Sequence, residues 1–457
     1  MGKAEILSTI RETFFYGATD YTKNQPDLFV PHKFKMLAPS QVDDFMNNLN
    51  EGITEKEILI YIHLPFCFSE CSFCNSFPYK VNHEVQKKYL ANLLKELDIF
   101  TGYGVFKGKK AKGIYFGGGT PTSFSNGDLD RILTKISSVI SLSSGCSITS
   151  EAHPLTLSDQ ERIVQMRDIG INRLSIGCQT FDKDLLKLCN RRNTKSQIAK
   201  IVNSARDVGL SINIDMMTGL PGQSLGSVDR DLEILSKIKP DTVEYIRHEI
   251  INPKVVKLYK ENPHLMVDKD TLFEMVCRTQ EWMTVHGYQQ NGSFVDSRQW
   301  AYRYHWLHEM PIIAFGSRTR SYTKFTCYDK HEDISTYSSI LDKGILPIGR
   351  FISLSKKDQM YRSTLLRLQL KKGIDKKWFQ EKFSLNPSDV FGSLFSKLTD
   401  LGCLEEENGA IRLTKYGACF VEDVCDCIID AALKEESEFL VRSPHSEGTK
   451  SSRSSLG

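Results

Sequence analysis

Short apolar runs alternate with longer amphipathic stretches from Ile58 onward. Six runs rich in β-branched and aromatic residues predict strands, at Ile58–Leu64, Gly113–Phe116, Ser147–Glu151, Arg173–Gly177, Ser211–Met216 and Thr242–Ile250. Apolar residues recur at helical spacing between them, for example at Glu84–Phe100, Asp128–Ile140, Ser196–Val208 and Ser227–Ile238. Strands that alternate with helices indicate βα units and a parallel sheet. Six units predict an α/β fold with a partial, open (β/α)6 TIM-like barrel.

Polar and glycine residues cluster at one end of these predicted strands. Cys67 follows the first strand and the Gly117–Thr120 run follows the second. Glu151 closes the third strand, Gln179 follows the fourth, and Asp215 lies in the fifth. Because the carboxyl ends of the strands build the active site of parallel barrels, we expect the chemistry at this end.

The C-terminal part has a different pattern. It predicts two helices, Leu365–Phe383 with a break at Gly373 and Pro387–Leu401, then a hairpin and a closing helix. The hairpin carries an Asn408-Gly409 turn, which favours tight antiparallel pairing. This order is typical of a winged-helix-like α+β domain. Since no basic helix face accompanies it, a packing or lid role is favoured over nucleic-acid binding.

The chain therefore divides into five predicted segments. They are an N-terminal arm at 1–56, the barrel at 57–290, an extension closing the active site at 291–355, the C-terminal domain at 356–436 and a disordered Ser- and Gly-rich tail at 437–457.

Composition narrows the possible functions. The chain has 457 residues and a net charge of +3, which implies no broad field for nucleic acid. No signal-peptide pattern and no apolar run near ~18 residues is present, so we expect a cytoplasmic monomer without a transmembrane segment. The twelve cysteines are scattered, which favours a reducing compartment over disulfides.

Three cysteines form the strongest motif. Cys67, Cys71 and Cys74 have C-x3-C-x2-C spacing directly after the first predicted strand. Thiolates select iron–sulfur clusters or zinc, and zinc usually requires a second cysteine or histidine pair that is not evident nearby. A cubane cluster normally takes four cysteines, so three would leave one iron open. Inert buried thiols and structural zinc remain the alternatives.

The motif, with Phe73 before its last cysteine, resembles that of the radical S-adenosylmethionine (SAM) superfamily. The sequence segment Tyr61-Ile62-His63-Leu64-Pro65-Phe66-Cys67 is similar to that of one branch of the superfamily. This HemN/HemW-like branch contains oxygen-independent coproporphyrinogen III oxidase. The resemblance implies a 4Fe-4S cluster whose free iron binds SAM. It also implies reductive cleavage of SAM to a 5′-deoxyadenosyl radical, with the electron coming from a flavodoxin or ferredoxin-type donor.

Further segments of the chain resemble sequence blocks of the family and occur in the same order along the chain. This resemblance implies several site residues. Tyr61, Gly118 and Glu151 would contact the cleaved SAM, with Tyr61 and His63 as the predicted catalytic residues. A second SAM would occupy a pocket lined by Phe73, Gly119, Thr120, Gln179, Arg191 and Asp215. The block Ile313–Ser321 resembles a segment near the adenosine. The glycine run could equally be a structural βα turn, and His63 a packed strand-end histidine.

The sequence departs from the family pattern at two places. Ser76 stands where the coproporphyrinogen oxidase has a further cysteine, two residues after the third cysteine of the motif. The segment Ala301–Trp306 corresponds to the HNxxYW heme motif but lacks its histidine–asparagine pair. Cys425 and Cys427 lie in a predicted helix and are interpreted as core residues.

These departures and the second SAM pocket favour a class C methyltransferase that acts on an sp2 carbon. Its partner would be a small planar organic substrate, namely a quinone, a tetrapyrrole or a heteroaromatic compound. The alternatives are oxidative decarboxylation of coproporphyrinogen III and a heme chaperone-like role.

Overall fold

The computed structural model describes residues 3–13, 34–76, 78–157, 159–288 and 301–442. The strands are β1 Lys35–Met36, β2 Glu57–Leu64, β3 Phe66–Cys67, β4 Tyr79–Lys80, β5 Lys110–Gly118, β6 Ser141–Ala152, β7 Arg173–Gln179, β8 Ser211–Thr218, β9 Thr242–Arg247, β10 Ile312–Phe315, β11 Arg320–Tyr322, β12 Thr326–Lys330, β13 Ile348–Ser353, β14 Ile374–Asp375, β15 Leu404–Glu407 and β16 Ala410–Leu413.

The helices are α1 Lys3–Thr13, α2 Val42–Gly52, α3 His83–Gly102, α4 Asn126–Val139, α5 Gln160–Asp168, α6 Lys183–Leu188, α7 Lys195–Asp207, α8 Leu225–Ile238, α9 Pro253–Glu261, α10 Lys269–Val285, α11 Ala301–Leu307, α12 Ile334–Asp342, α13 Lys356–Leu368, α14 Lys376–Phe383, α15 Pro387–Asp400, α16 Lys415–Cys419 and α17 Val421–Arg442. In the described part of the chain, no helix is both long enough and apolar enough to cross a bilayer.

One large sheet organises the molecule. Its strand order is β1-β13-β12-β11-β10-β2-β5-β6-β7-β8-β9, and the pairs from β10 through to β9 are parallel. The six predicted strands are therefore present as consecutive parallel neighbours, β2 and β5 to β9, and β9 forms one edge. This arrangement confirms the predicted α/β fold with an open barrel-like sheet.

The sequence analysis missed the seventh parallel strand. β10 is a four-residue, fully buried run that pairs with β2 on the side away from β5. A short apolar run without alternation cannot be assigned to a strand by periodicity alone. The prediction for Thr242–Ile250 was also too long, because β9 ends at Arg247 and Asn252 then caps helix α9.

Local sequence explains why the helices between these strands begin where they do. Ser125, Thr194 and Ser224 each accept a hydrogen bond from a backbone N–H in the first turn and form capping boxes for α4, α7 and α8. Each of these helices then buries an aliphatic face in the single large core cluster, which also contains the strand residues. The sheet is thereby held in a fixed position relative to its helices.

The C-terminal unit confirms the predicted break. Gly373 lies at φ +65°, a conformation that favours glycine, and its position against the backbone of Ile411 leaves no room for a side chain. Strands β14, β16 and β15 form a small antiparallel sheet whose Asn408-Gly409 turn has positive φ at both residues. Helix α17 continues to Arg442, past the predicted start of the tail, and 443–457 lie outside the described residues.

Candidate active site

Sheet register aligns one row of side chains across four neighbouring strands. Tyr61 pairs with Tyr115, Tyr115 with Thr149, and Thr149 with Arg173. All four side chains line the same cavity. Since side chains alternate between the two faces of a strand, this row marks the interior face of the sheet.

The cysteine loop, Cys67 to Cys74, follows the end of strand β2. The Cys67 sulfur lies 3.1 Å from the Thr120 hydroxyl, and the Cys71 sulfur accepts a hydrogen bond from Arg191 at 3.2 Å. The backbone N–H of Cys74 donates to the carbonyl of Cys71 at 3.1 Å, which closes the loop. All three thiols are half-buried, and burial raises the pKa of Cys67 to about 12.

This donor set fits an iron–sulfur cluster better than zinc. Zinc requires ligands that converge on one ion, and no three His, Cys, Asp or Glu side chains of the described residues do so. A cubane instead distributes its thiolates over different irons. Hydrogen bonds to cluster sulfurs tune the potential of such clusters, and Arg191 is placed to supply one at Cys71.

The glycine run is packed tightly against the end of β2. A Cβ on Gly118 would lie 2.6 Å from the His63 ring, and one on Gly119 would lie 2.7 Å from the backbone N of Phe66. Gly118 also has φ +113°, which L-residues rarely adopt. Packing thus explains these glycines, as the structural interpretation of the run expected. That Gly118 and Gly119 also contact SAM stays a prediction.

Glu151 connects the glycine turn to the interior row. It accepts hydrogen bonds from the Tyr115 hydroxyl at 3.1 Å and from the Gly118 N–H at 3.2 Å. Burial nevertheless raises the pKa of Glu151 to about 7. The Tyr61 hydroxyl lies 3.2 Å from His63 Nδ1, so both predicted catalytic side chains are within hydrogen-bonding distance of each other. Burial, with the nearby Arg318 charge, lowers the pKa of His63 to about 4, so its imidazole is neutral near pH 7.

Arg191 and Gln179 lie together over Gly177. Arg191 hydrogen-bonds the Gly177 carbonyl and Asn193, in addition to the Cys71 sulfur. Gln179 has φ +69°, and its buried Oε1 has no hydrogen-bond partner. These two predicted second-SAM residues are therefore adjacent, but the guanidinium is already occupied by protein contacts.

Phe73 and Asp215, which are also predicted for that pocket, contact different neighbours. Phe73 packs against a small cluster formed by Cys189, Met217 and Leu220. Asp215 accepts a hydrogen bond from Ser175, and burial, reinforced by the nearby carboxylates, raises the pKa of Asp215 to about 8. The second-SAM pocket formed by these positions stays a prediction.

The sequence analysis named part of the cavity between these groups, through the block Ile313–Ser321, but did not identify Ser147, Glu244 or the residues of α11 as lining residues. The cavity has a volume of about 440 Å³, and its remaining lining residues are Ser147, Glu244, Tyr302, Arg303, Trp306, Ile312, Arg318, Thr319, Arg320 and Tyr322. Four arginines line it against one carboxylate. Buried carboxylate-binding and aromatic side chains together suit a planar anion.

Helix α11 contributes three donors for which the described residues supply no acceptor. The Tyr302 hydroxyl, Arg303 Nε and Trp306 Nε1 are buried, and none of them has a hydrogen-bond partner within the described part of the chain. All three side chains line the cavity. Buried polar groups are normally satisfied, so these donors indicate acceptors on a ligand.

A sequence signal for the interior was available. β7 alternates Arg173, Ser175, Gly177 and Gln179 at every second position within an otherwise apolar strand. Polar residues on one face of a buried strand indicate a polar interior. The residues from α11 to β11 carry no such periodic signal, and only the resemblance of the block Ile313–Ser321 to a segment near the adenosine pointed to part of them.

A buried ion pair supports the loop after β10. Lys330 pairs with Glu96 and hydrogen-bonds the Ala314 carbonyl. Glu96 also accepts from the Gly316 N–H at 2.8 Å and from the Tyr337 hydroxyl at 2.6 Å. This network fixes the start of the predicted adenosine block behind the cavity.

Tyr89 links the same loop to β2. Its hydroxyl donates to the His63 carbonyl at 2.9 Å and accepts from the Ser317 N–H at 3.0 Å. The end of β2 and the loop after β10 are therefore held together by a single side chain.

Comparisons with known proteins agree with this arrangement. A family model of the Radical SAM superfamily matches residues 61–235, and one of the HemN C-terminal domain matches residues 354–420. The heme chaperone HemW of Bacillus subtilis is 26% identical over 372 residues, which are 80% of this chain and 97% of that protein. The oxygen-independent coproporphyrinogen III oxidase of Helicobacter pylori is 28% identical over 392 residues, covering 80% of this chain and 84% of that one.

Among solved structures, the coproporphyrinogen III oxidase HemN of Escherichia coli superposes with a TM-score of 0.75 at 21% identity. The match covers 84% of this chain and 93% of that chain. At this identity the similarity establishes the fold.

Proposed function

Because the chain belongs to the radical SAM superfamily, in the branch that carries a HemN C-terminal domain, we propose that it acts on a carboxylate-bearing tetrapyrrole. The observation that carries the proposal is the cavity beside Tyr61 and His63, with its four arginines and its three donors without a partner on helix α11. A tetrapyrrole offers a flat apolar ring for the tyrosines and Trp306, and propionates for the guanidinium groups.

Membership of the superfamily implies a 4Fe-4S cluster and SAM. Cys67, Cys71 and Cys74 would hold the cluster, and Tyr61, Gly118 and Glu151 would contact SAM. When bound, these groups supply one-electron cleavage of the sulfonium and, through it, hydrogen-atom abstraction.

The chain's own residues bind and orient the substrate. Arg173 lies buried in the interior row, where its charge is placed to receive a propionate. His63 is neutral at physiological pH, since the pKa lies near 4, so it adds a hydrogen-bonding group beside the substrate without adding charge. Tyr61 and Tyr115 stack with ring centroids 6.1 Å apart and exclude water from the interior.

Our first candidate for the reaction is oxidative decarboxylation of a propionate to a vinyl group and carbon dioxide, in which SAM is the two-electron oxidant overall and leaves as methionine and 5′-deoxyadenosine. The relatives named coproporphyrinogen III oxidase and heme chaperone support the two alternatives from the sequence better than methyl transfer to an sp2 carbon. The second candidate, heme binding without turnover, is favoured by the near-complete coverage of heme chaperone HemW relatives.

The number of SAM molecules needs a separate measurement. In the described contacts Arg191 donates three of its five N–H groups, to Asn193, Cys71 and Gly177, and a second SAM would be bound by the other two. Equilibrium dialysis of the cluster-loaded chain with labelled SAM distinguishes one bound molecule from two.

Product analysis tests the proposed reaction. The anaerobically reconstituted chain is incubated with SAM, a low-potential reductant and coproporphyrinogen III. Release of carbon dioxide with 5′-deoxyadenosine supports decarboxylation, and stable heme uptake without 5′-deoxyadenosine supports the chaperone-like role. Failure to bind or convert any tetrapyrrole contradicts the proposal.

Tyr302→Phe tests the cavity itself. The hydroxyl has no protein partner, so its removal leaves stability nearly unchanged but weakens ligand binding. Tyr259→Phe is the matched control, because that hydroxyl is also buried without a partner and lies outside the cavity. Equal ligand affinity of the two variants would place the tetrapyrrole elsewhere.

A further inference from the structure

Arg318 has a backbone conformation that its residue type does not favour. Its φ is +58°, in the left-handed region where glycine or asparagine is usual. The loop imposes this conformation, because the Arg318 N–H donates to the His331 carbonyl at 2.9 Å. Strained residues cluster at ligand-binding sites, where the surrounding structure maintains them.

The side chain lies at the mouth of the cavity, between the cysteine loop and the interior. Its guanidinium donates to the Ser76 carbonyl at 2.8 Å, just beyond Cys74. The same side chain lines the cavity with His63, and its charge contributes to the lowered pKa of that histidine. It is 38% exposed, so an entering ligand can reach it.

Two of the other cavity arginines pair with carboxylates that are more buried than the partner of Arg318. Arg320 pairs with Asp329 at 2.5 Å, and Arg303 lies 3.9 Å from Glu244. The Glu332 carboxylate lies 4.0 Å from Arg318 and is 73% exposed. Solvent screens such a pair, so Glu332 holds the Arg318 guanidinium only weakly.

We infer that Arg318 binds a carboxylate of the tetrapyrrole at the cavity mouth and fixes which edge of the ring faces the cysteine loop. This inference rests on the proposed function and adds a specificity-determining residue to it. The guanidinium matches a carboxylate with two parallel hydrogen bonds. Binding there would also order the contact to Ser76.

Arg318→Gly is the informative variant, because glycine relieves the backbone strain while removing the guanidinium. Lys239→Gly is its matched control. Lys239 is also a cation at positive φ (+52°), it is exposed at the end of α8, and it is not among the cavity-lining residues. Arg318→Lys keeps the charge and tests whether the two-pronged geometry matters.

Binding is measured by fluorescence titration of the cluster-loaded chain with coproporphyrin III, which carries four carboxylates. Arg318→Gly should weaken binding at least tenfold, Arg318→Lys should recover part of that loss, and Lys239→Gly should match the wild type. The loss should shrink as salt rises, because the interaction at the mouth is ionic.

Two failures are distinguishable. If the wild-type chain binds no porphyrin, the proposed function fails and the role of Arg318 fails with it. If the wild type binds coproporphyrin III and Arg318→Gly binds it equally well, the tetrapyrrole site stands and the assignment of Arg318 is overturned.

Discussion

Replacement of Lys330 by methionine should destabilise the chain strongly. The Lys330 side chain is 1% exposed and that of its partner Glu96 is 0% exposed. The variant leaves the Glu96 carboxylate buried with only the Gly316 N–H and the Tyr337 hydroxyl as partners. Breaking a buried pair in this way costs about 3–5 kcal/mol. The same change in an exposed pair costs about 0.2–1 kcal/mol.

Urea unfolding followed by circular dichroism measures the difference. Lys237→Met is the control, because Lys237 and Glu233 form a pair that is 61% and 65% exposed. The double variant Glu96→Leu/Lys330→Met should recover much of the loss, since replacing both charges by apolar groups is often neutral. A loss in Lys330→Met no larger than in the control would refute the reasoning.

Three further predictions concern other parts of the fold. Asp215→Asn should flatten the pH dependence of the melting temperature of the cofactor-free chain. The pKa of Asp215 is about 8 when folded and 3.8 when unfolded, so its carboxyl lowers stability as pH rises from about 4 to 8. An unchanged slope of melting temperature against pH would contradict this. Gly119→Ala should destabilise by about 1–3 kcal/mol, since its Cβ meets backbone at 2.7 Å. Gly127→Ala in helix α4 should not, since its Cβ would make only an ordinary contact of 3.8 Å with Ser125 Oγ; equal melting temperatures of the two variants would refute this. Asp423→Asn should increase proteolysis of helix α17, because Asp423 forms a buried ion pair with Arg247 of β9 at 3.0 Å. A variant as resistant to protease as the wild type would contradict this.

The parallel strands could be predicted from the sequence because their apolar runs are separated by well-capped helices. Ile58–Leu64 and Ser211–Met216 lie within the observed strands β2 and β8. The end of the sheet that carries the candidate site could be predicted from the same pattern, since Cys67 and Glu151 both lie at strand ends. These features depend on local sequence, which is why they could be read from it.

The cavity could not be predicted in the same way. Trp306 and Arg318 come from α11 and the loop after β10, which are brought beside β2 by the pairing of β10 with β2 and by the hydrogen bonds of Tyr89. That pairing joins segments far apart in the chain and depends on tertiary packing. The buried position of Lys330 could not be predicted either, because the sequence of β12, Thr326 to Lys330, has no alternation of apolar and polar residues that would mark the lysine as inward-facing.

The most direct test of the account is the metal content of the anaerobically purified chain. The wild type should hold about four irons and four sulfides. The triple variant Cys67→Ala/Cys71→Ala/Cys74→Ala should hold almost none, while Cys277→Ala, another half-buried thiol, should match the wild type. Full iron and sulfide in the triple variant would contradict the cluster site on which the proposed radical chemistry depends.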